Sequence, residues 1–203
     1  EVGTGDVAAW YAERAGGQIV NYGVSIGHIP ARMAVMGDEG DFLPSGPGGS
    51  APANDAHIAD MVGILEVGLA EGAVAVGFGM AYTPAATYGE LETMFRVAAG
   101  ADASAHIHIR GGTRGLAQTV DVAAAAGVPL HVVHANSSAG EDVAEFMAVM
   151  EHAVAAGQDV TTEVYPYGAG MTEIESALFD DWESWDDERF ALHQWVETGE
   201  RLT

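Results

Sequence analysis

The sequence predicts an α/β fold organised around a parallel sheet. Three observations predict it: five short apolar runs rich in Val and Ile, four stretches of helical spacing between them, and strict alternation of the two kinds. The apolar runs cover residues 18–27, 72–80, 103–109, 128–135 and 159–167, each bounded by Gly, Pro or Asp as buried strands are. The helical stretches cover residues 55–71, 88–100, 115–127 and 140–157. In the first of them Met61, Ile64, Leu65 and Leu69 fall on one face. Gly100, Gly127 and Gly157 supply stop signals for the other three. Residues 5–16 also show helical spacing, and the chain after the last run is expected to be a helical tail. Alternation of this kind implies parallel strands joined by right-handed crossovers.

Residues 37–54, rich in Gly, Pro and Ser, form the one long loop. In this order the loop follows a strand, which would place it over the active-site end of a barrel. Five parallel strands admit two architectures, a complete doubly wound open sheet or five-eighths of a (β/α)₈ barrel, which takes about 250 residues when whole. At 203 residues the chain fits a single domain, 1–203.

Composition removes several function classes. The formal net charge is −23, from 30 acidic and 7 basic residues, all of the latter Arg. Such a surface has nothing with which to neutralise a row of phosphates, so nucleic acid is not expected as a partner. Lys avoidance alone does not produce that excess of acid; a surface suited to high salt, where screening relieves self-repulsion, accounts for both. Without cysteine there are no disulfides and no thiolate metal sites, so any ion must be held by His, Asp or Glu. No run of about 18 apolar residues occurs, so no membrane span is expected. The first residue is Glu1 rather than Met and no signal-like stretch follows it, so the native N-terminus and its targeting information are expected to lie outside this sequence; the expected location is cytoplasmic.

The chemistry-bearing residues lie at strand ends, where barrels place their active sites. In Ser104-Ala105-His106-Ile107-His108, period-two alternation puts His106 and His108 on one side, His108 nearer the mouth. The next expected strand, Val128 through His134, again places a His last. His131, an odd number of positions earlier, is expected to face the helices instead. Neighbouring strands lie about 4.8 Å apart, so His108 and His134 at equal height can share one ion at about 2.1 Å each. His106-x-His108 also has the form of a paired-histidine metal motif, with a buried, hydrogen-bonded His106 as the plainer alternative. Glu163, inside the last run, is a further candidate ligand or a local hydrogen-bond partner. Gly23-Val24-Ser25-Ile26-Gly27 matches the G-x-S-x-G nucleophile elbow, but the elbow needs a helix directly after the serine. Gly27 and Pro30 stand where its first turns would be, which counts against a serine hydrolase using Ser25.

Five segments together resemble the D-aminoacylase (N-acyl-D-amino-acid deacylase) family of the amidohydrolase superfamily. They are Gly27-His28-Ile29-Pro30-Ala31-Arg32 with Val35-Met36-Gly37; Glu71-Gly72-Ala73 leading to Gly79-Met80-Ala81-Tyr82-Thr83-Pro84; Ile107-His108-Ile109-Arg110; Val128-Pro129 through His134; and Asp159-Val160-Thr161-Thr162-Glu163-Val164-Tyr165-Pro166-Tyr167 with Gly168-Ala169-Gly170. The resemblance runs from about Asn21 to the end, and its strength lies in the order and spacing of the five.

This resemblance implies a partial (β/α)₈ TIM barrel of the metal-dependent hydrolase type, about strands three to seven of the eight. It implies hydrolysis of a non-peptide C–N bond in a small-molecule amide, assisted by one or two Zn²⁺ or other divalent ions. His108 and His134 carry over as metal ligands, and Tyr165 as a substrate contact. His28 and Arg32 match the family pattern and are weighed as structural rather than as site residues. The paired histidines of the first strand, the bridging ligand of the second and the catalytic Asp of the eighth have no match here. Two ligands do not complete a catalytic zinc site.

Departures from the family pattern fall at the substrate end. Asn136 stands where a Lys that holds substrate carboxylate is usual, Met171 where a Ser is usual, and Gly111-Gly112 where an acidic pair follows Arg110. Arg110, Asn136 and Met171 are therefore the positions expected to set the substrate. A neutral, cyclic-amide or imide substrate becomes an alternative to an N-acyl-D-amino acid, and a barrel that has lost its chemistry becomes an alternative to an enzyme. Five strands of a barrel leave two unpaired edges, from which self-association is expected.

Overall fold

The computed structural model describes residues 1–203. The first strand and its helices are α1 (Val7–Glu13), β1 (Ser25–Gly27), α2 (His28–Met36), the short α3 (Pro47–Ser50) and α4 (Asp55–Ala70). Then follow β2 (Ala75–Gly79), α5 (Tyr88–Gly100), β3 (Ser104–His108), α6 (Gly112–Ala126) and β4 (Leu130–Val132). The last elements are α7 (Ala135–Ala139), α8 (Val143–Ala155), β5 (Val160–Thr162) and α9 (Asp187–Ala191). Asn54 and Thr87 cap α4 and α5 through their side-chain oxygens, and Gly127, at φ 71°, ends α6 in the left-handed conformation predicted for a stop glycine.

Strand order decides between the two architectures left open by the pattern. All five strands are parallel and lie in sequence order, β1-β2-β3-β4-β5. A doubly wound sheet reverses its order at a switch point, where helices pass to the other face. Here there is no reversal, and the helices pack as one row, α2 on α4, α4 on α5, α5 on α6 and α6 on α8. The result is an arc of a (β/α)₈ barrel.

The core lies between that row and the sheet. Ile26, Phe78, Ala105, Ile107, Leu130 and Val132 point outward from the strands to meet Met61, Leu65, Met94, Phe95, Leu116 and Phe146 of the helices. On β3 the alternation is visible residue by residue. Ala105 and Ile107 are buried, whereas Ser104, His106 and His108, on the barrel-interior face, are only partly covered. No helix is long and apolar enough to cross a membrane.

Three elements differ from expectation. Residues 18–27 yield only the three-residue strand Ser25–Gly27, with Ile19 and Val20 exposed. Directly after it, His28–Met36 is a helix. Pro30 falls in its first turn, where no backbone donor is needed, so the residue that argued against a helix is compatible with one. The loop therefore follows a helix rather than a strand. It still reaches the strand ends: Ala85, beyond β2, donates its N–H to Gly49 at 3.1 Å. The tail is not continuous helix; it holds short 3₁₀ turns at Ala177–Phe179 and Trp182–Ser184 before α9.

Ser25 opens β1, paired with Ala75, and the corner between strand and helix is Gly27. A nucleophile elbow puts its serine on that corner.

Candidate metal centre

His108 is the last residue of β3, aligned with Gly79 of β2. The neighbouring strand β4 ends at Val132, and Val133 still donates to Ile107 at 3.0 Å. The chain then turns at His134, whose φ of 34° is one of two positive values among non-glycine residues. A left-handed residue with a Cβ costs about 1–2 kcal/mol, and such strain collects at functional sites. The turn brings the His134 ring to the barrel interior, its centroid 4.6 Å from that of His108.

That turn also corrects the expectation for His131. In the parallel register His131 pairs with His106, their rings 5.0 Å apart, so His131 faces the interior and not the helices. Counting parity from His134 fails because the extended backbone ends before His134.

A third candidate ligand arrives from the start of the chain. Thr4 bridges Ile26, accepting from Gly27 N–H at 2.9 Å and donating to Ser25 at 3.0 Å. Val2 and Glu1 thereby cross onto β1 and β2. The approach is close enough that a Cβ on Gly77 would lie 2.4 Å from the Glu1 carbonyl oxygen. Glu1 Oε2 sits 2.5 Å from His134 Nε2 and 3.7 Å from His108 Nδ1. Donor atoms of Glu1, His108 and His134 all lie within 4.8 Å of one another.

Two imidazoles and one carboxylate suit zinc and other borderline divalent ions, and three is the number of protein ligands in a catalytic zinc site. His108 Nδ1 is buried and has no hydrogen-bond partner, an orphan that an ion would satisfy. The electrostatics agree. Burial alone would raise the Glu1 carboxyl, but the His108 and His134 imidazoles more than offset it and hold it well below the usual carboxylate range. In return, the Glu1 carboxylate raises His134 above the ordinary imidazole value, against the lowering by burial. The residues present fit the ion that the sequence resemblance implies.

Around this group the structure sorts the remaining predicted residues. Glu163 lies just past β5 and outside the ligand group. Its Oε1 accepts the His134 N–H at 3.2 Å and its Oε2 lies 3.3 Å from His131 Nε2, so it is the local hydrogen-bond partner. His106 is likewise outside the group, its Nε2 3.0 Å from Ser104 Oγ. Tyr165 faces His134, with ring centroids 6.4 Å apart. Asn136 is engaged by the Tyr165 backbone, donating to its carbonyl at 3.2 Å and accepting its N–H at 3.3 Å. Arg110 donates to the Thr83 and Pro84 carbonyls at 3.3 and 2.9 Å beneath the Tyr88 ring. Met171 is 83% exposed on the tail.

His28 and Arg32 belong to a separate, fully buried network. His28 Nε2 is 2.7 Å from Glu90 Oε1, and Arg32 Nη1 donates to both Glu90 oxygens at 2.5 and 2.6 Å. Arg32 also donates to Gly48 O at 2.6 Å and to Ala51 O, which ties the long loop down. This geometry gives both residues a structural role.

Two site residues escaped sequence reasoning. Glu1 has no periodic pattern around it to mark it. Tyr82 lies inside one of the five family-like segments without standing out from it. It is nearly buried, with its ring 5.0 Å from that of His108. Burial and the Glu1 charge raise its hydroxyl above the ordinary tyrosine value.

The fold is similar to those of several solved structures. An N-acyl-D-glutamate deacylase from Bordetella bronchiseptica, complexed with zinc and a phosphonate mimic of the reaction's tetrahedral intermediate, is 27% identical, with TM-score 0.67 over 80% of this chain and 34% of that chain. A D-aminoacylase described as defining a novel subset of amidohydrolases is 26% identical, with TM-score 0.67 over 81% of this chain and 34% of that one. A D-aminoacylase studied for its binuclear metal centre is 25% identical, with TM-score 0.68 over the same shares. The chain thus spans about a third of the length of the structures it matches, and its structural neighbours are of the D-aminoacylase type that the sequence segments resemble. No protein-family model matches the chain, and no curated protein matches it.

Proposed function

We propose that the protein carrying this chain is a metal-dependent amidohydrolase that cleaves a non-peptide C–N bond, related in chemistry to the N-acyl-D-amino-acid deacylases. One observation carries the reading: Glu1, His108 and His134 converge at the C-terminal ends of a singly wound parallel sheet, with His108 Nδ1 buried and unpartnered. An ion held there supplies Lewis acidity toward an amide carbonyl and brings the pKa of a water toward about 7. The chain's own groups do the rest. Tyr82 and Tyr165 wall the ligand group on either side, and the Glu163 carboxylate holds the turn that presents His134. By resemblance, the proton acceptor is an Asp of the eighth strand, which has no counterpart among these residues.

Substrate chemistry follows from Asn136. A neutral amide, already paired with the Tyr165 backbone, replaces the cation that would hold a carboxylate. We therefore favour a neutral amide, a cyclic amide or an imide over an N-acyl-D-amino acid. The same observation favours the second reading, a barrel that keeps the scaffold without the chemistry.

Metal analysis and hydrolysis assays of the purified protein separate them. Stoichiometric zinc, lost in a His108→Ala, His134→Ala variant, with turnover of neutral amides or cyclic imides, is the expected result. No bound metal in either form favours the scaffold. Labelling of Ser25 by a fluorophosphonate would point to serine chemistry instead.

A further inference from the structure

An imidazole gives an ion one nitrogen, and the hydrogen bond made by the other decides which one. In His134 the two nitrogens face different partners. Nε2 points at Glu1 and the ligand group, at 2.5 Å, while Nδ1 lies 2.7 Å from Ser137 Oγ. Ser137 is seated by the turn itself: its N–H donates to the His134 carbonyl at 2.9 Å, and its hydroxyl lies 3.1 Å from the same oxygen. A hydroxyl carries one donor and two acceptor sites. Directing its proton to the carbonyl leaves lone pairs facing Nδ1, so Nδ1–H has its acceptor in Ser137, and Nε2, whose proton here faces the Glu1 carboxylate, is the nitrogen an ion would take in place of that proton. From the other side, Glu163 Oε1 accepts the His134 N–H at 3.2 Å and holds the left-handed backbone that aims the ring.

We propose that Ser137 is a positioning residue of the metal centre, accepting Nδ1–H of His134 and so reserving Nε2 for the ion. This rests on the reading of Glu1, His108 and His134 as the ligand set. Loss of such a partner weakens metal binding about 10- to 100-fold. Ser137 is exposed, so water takes over part of its role, and the lower end, about tenfold, is expected here.

The test uses the whole purified protein. Zinc affinity is measured by competition with a chromophoric chelator, and the imidazole tautomers of the zinc-loaded form are read from long-range ¹H–¹⁵N spectra, with the His134 signals assigned from a His134→Ala variant. The wild type should show His134 protonated on Nδ1. Ser137→Ala should bind zinc about tenfold more weakly with an unchanged circular dichroism spectrum, and Ser137→Thr, which keeps the hydroxyl, should restore the affinity. Equal zinc affinity in wild type and Ser137→Ala, or a proton on Nε2 in the loaded wild type, overturns the proposal and leaves the ligand set standing. Failure of the wild type to bind zinc overturns both. Should Ser137→Ala not fold, the wild-type tautomer alone decides: a proton on Nδ1 supports the proposal and a proton on Nε2 overturns it.

Discussion

Replacing Glu90 by Gln removes one charge from the most deeply buried ion pair in the molecule. The Arg32 and Glu90 side chains are 0% and 1% exposed. Both Glu90 oxygens accept from Arg32 Nη1, and Oε1 also faces His28. Solvent cannot screen what is left, so the substitution strands a guanidinium charge in the core. Breaking a buried pair in this way costs about 3–5 kcal/mol. Arg32 also satisfies the carbonyls of Gly48 and Ala51, so its own removal (Arg32→Met with Glu90→Leu) leaves the buried Gly48 acceptor unpaired at about 1–3 kcal/mol and the part-buried Ala51 acceptor at less. The double variant should therefore recover only part of the loss. Urea unfolding midpoints of the three proteins give the comparison. A Glu90→Gln loss below about 1 kcal/mol would show that the pair behaves as a solvent-exposed one. The pH dependence has a definite sign. Although burial acts to raise it, the partners His28 and Arg32 leave Glu90 below its ordinary value. Its contribution is then complete above the ordinary carboxylate value near about 4.3 and fades as pH falls through the lower folded value. Wild type should lose stability over that acid range more steeply than Glu90→Gln.

Two further outcomes follow from the surface and from the approach of Glu1. With 30 acidic against 7 basic residues, the melting temperature should rise from low salt to molar NaCl as repulsion is screened; an unchanged or falling value would remove the case for salt adaptation. In Gly77→Ala the new Cβ would lie 2.4 Å from the Glu1 carbonyl, so Glu1 must withdraw. Zinc affinity should drop although no ligand is altered, and unchanged affinity with unchanged melting would show that Glu1 takes no part.

Much of this was legible because periodicity is a local property. His108 ends a strand whose alternation shows in five consecutive residues, and His134 stands at the end of the next apolar stretch, so both could be placed at one mouth. Geometry that depends on a turn was not legible. His131 looked outward-facing only because parity was counted through His134, where the backbone leaves the extended region. The helix after β1 was hidden by Pro30, a breaker in a helix interior but harmless in a first turn. Glu1 reaches the site through a single bridge from Thr4 to Ile26, a tertiary contact that no local pattern encodes. Asn136 was read as a lost cation; that its amide is used by the Tyr165 backbone required the structure.

Whether Glu1, His108 and His134 form a metal site is decided by the zinc content of the whole purified protein after equilibration with zinc and removal of excess. At least one equivalent is expected in the wild type, and its loss in the His108→Ala, His134→Ala variant while the fold persists. No zinc in the wild type, or the same zinc content in the variant, would contradict it.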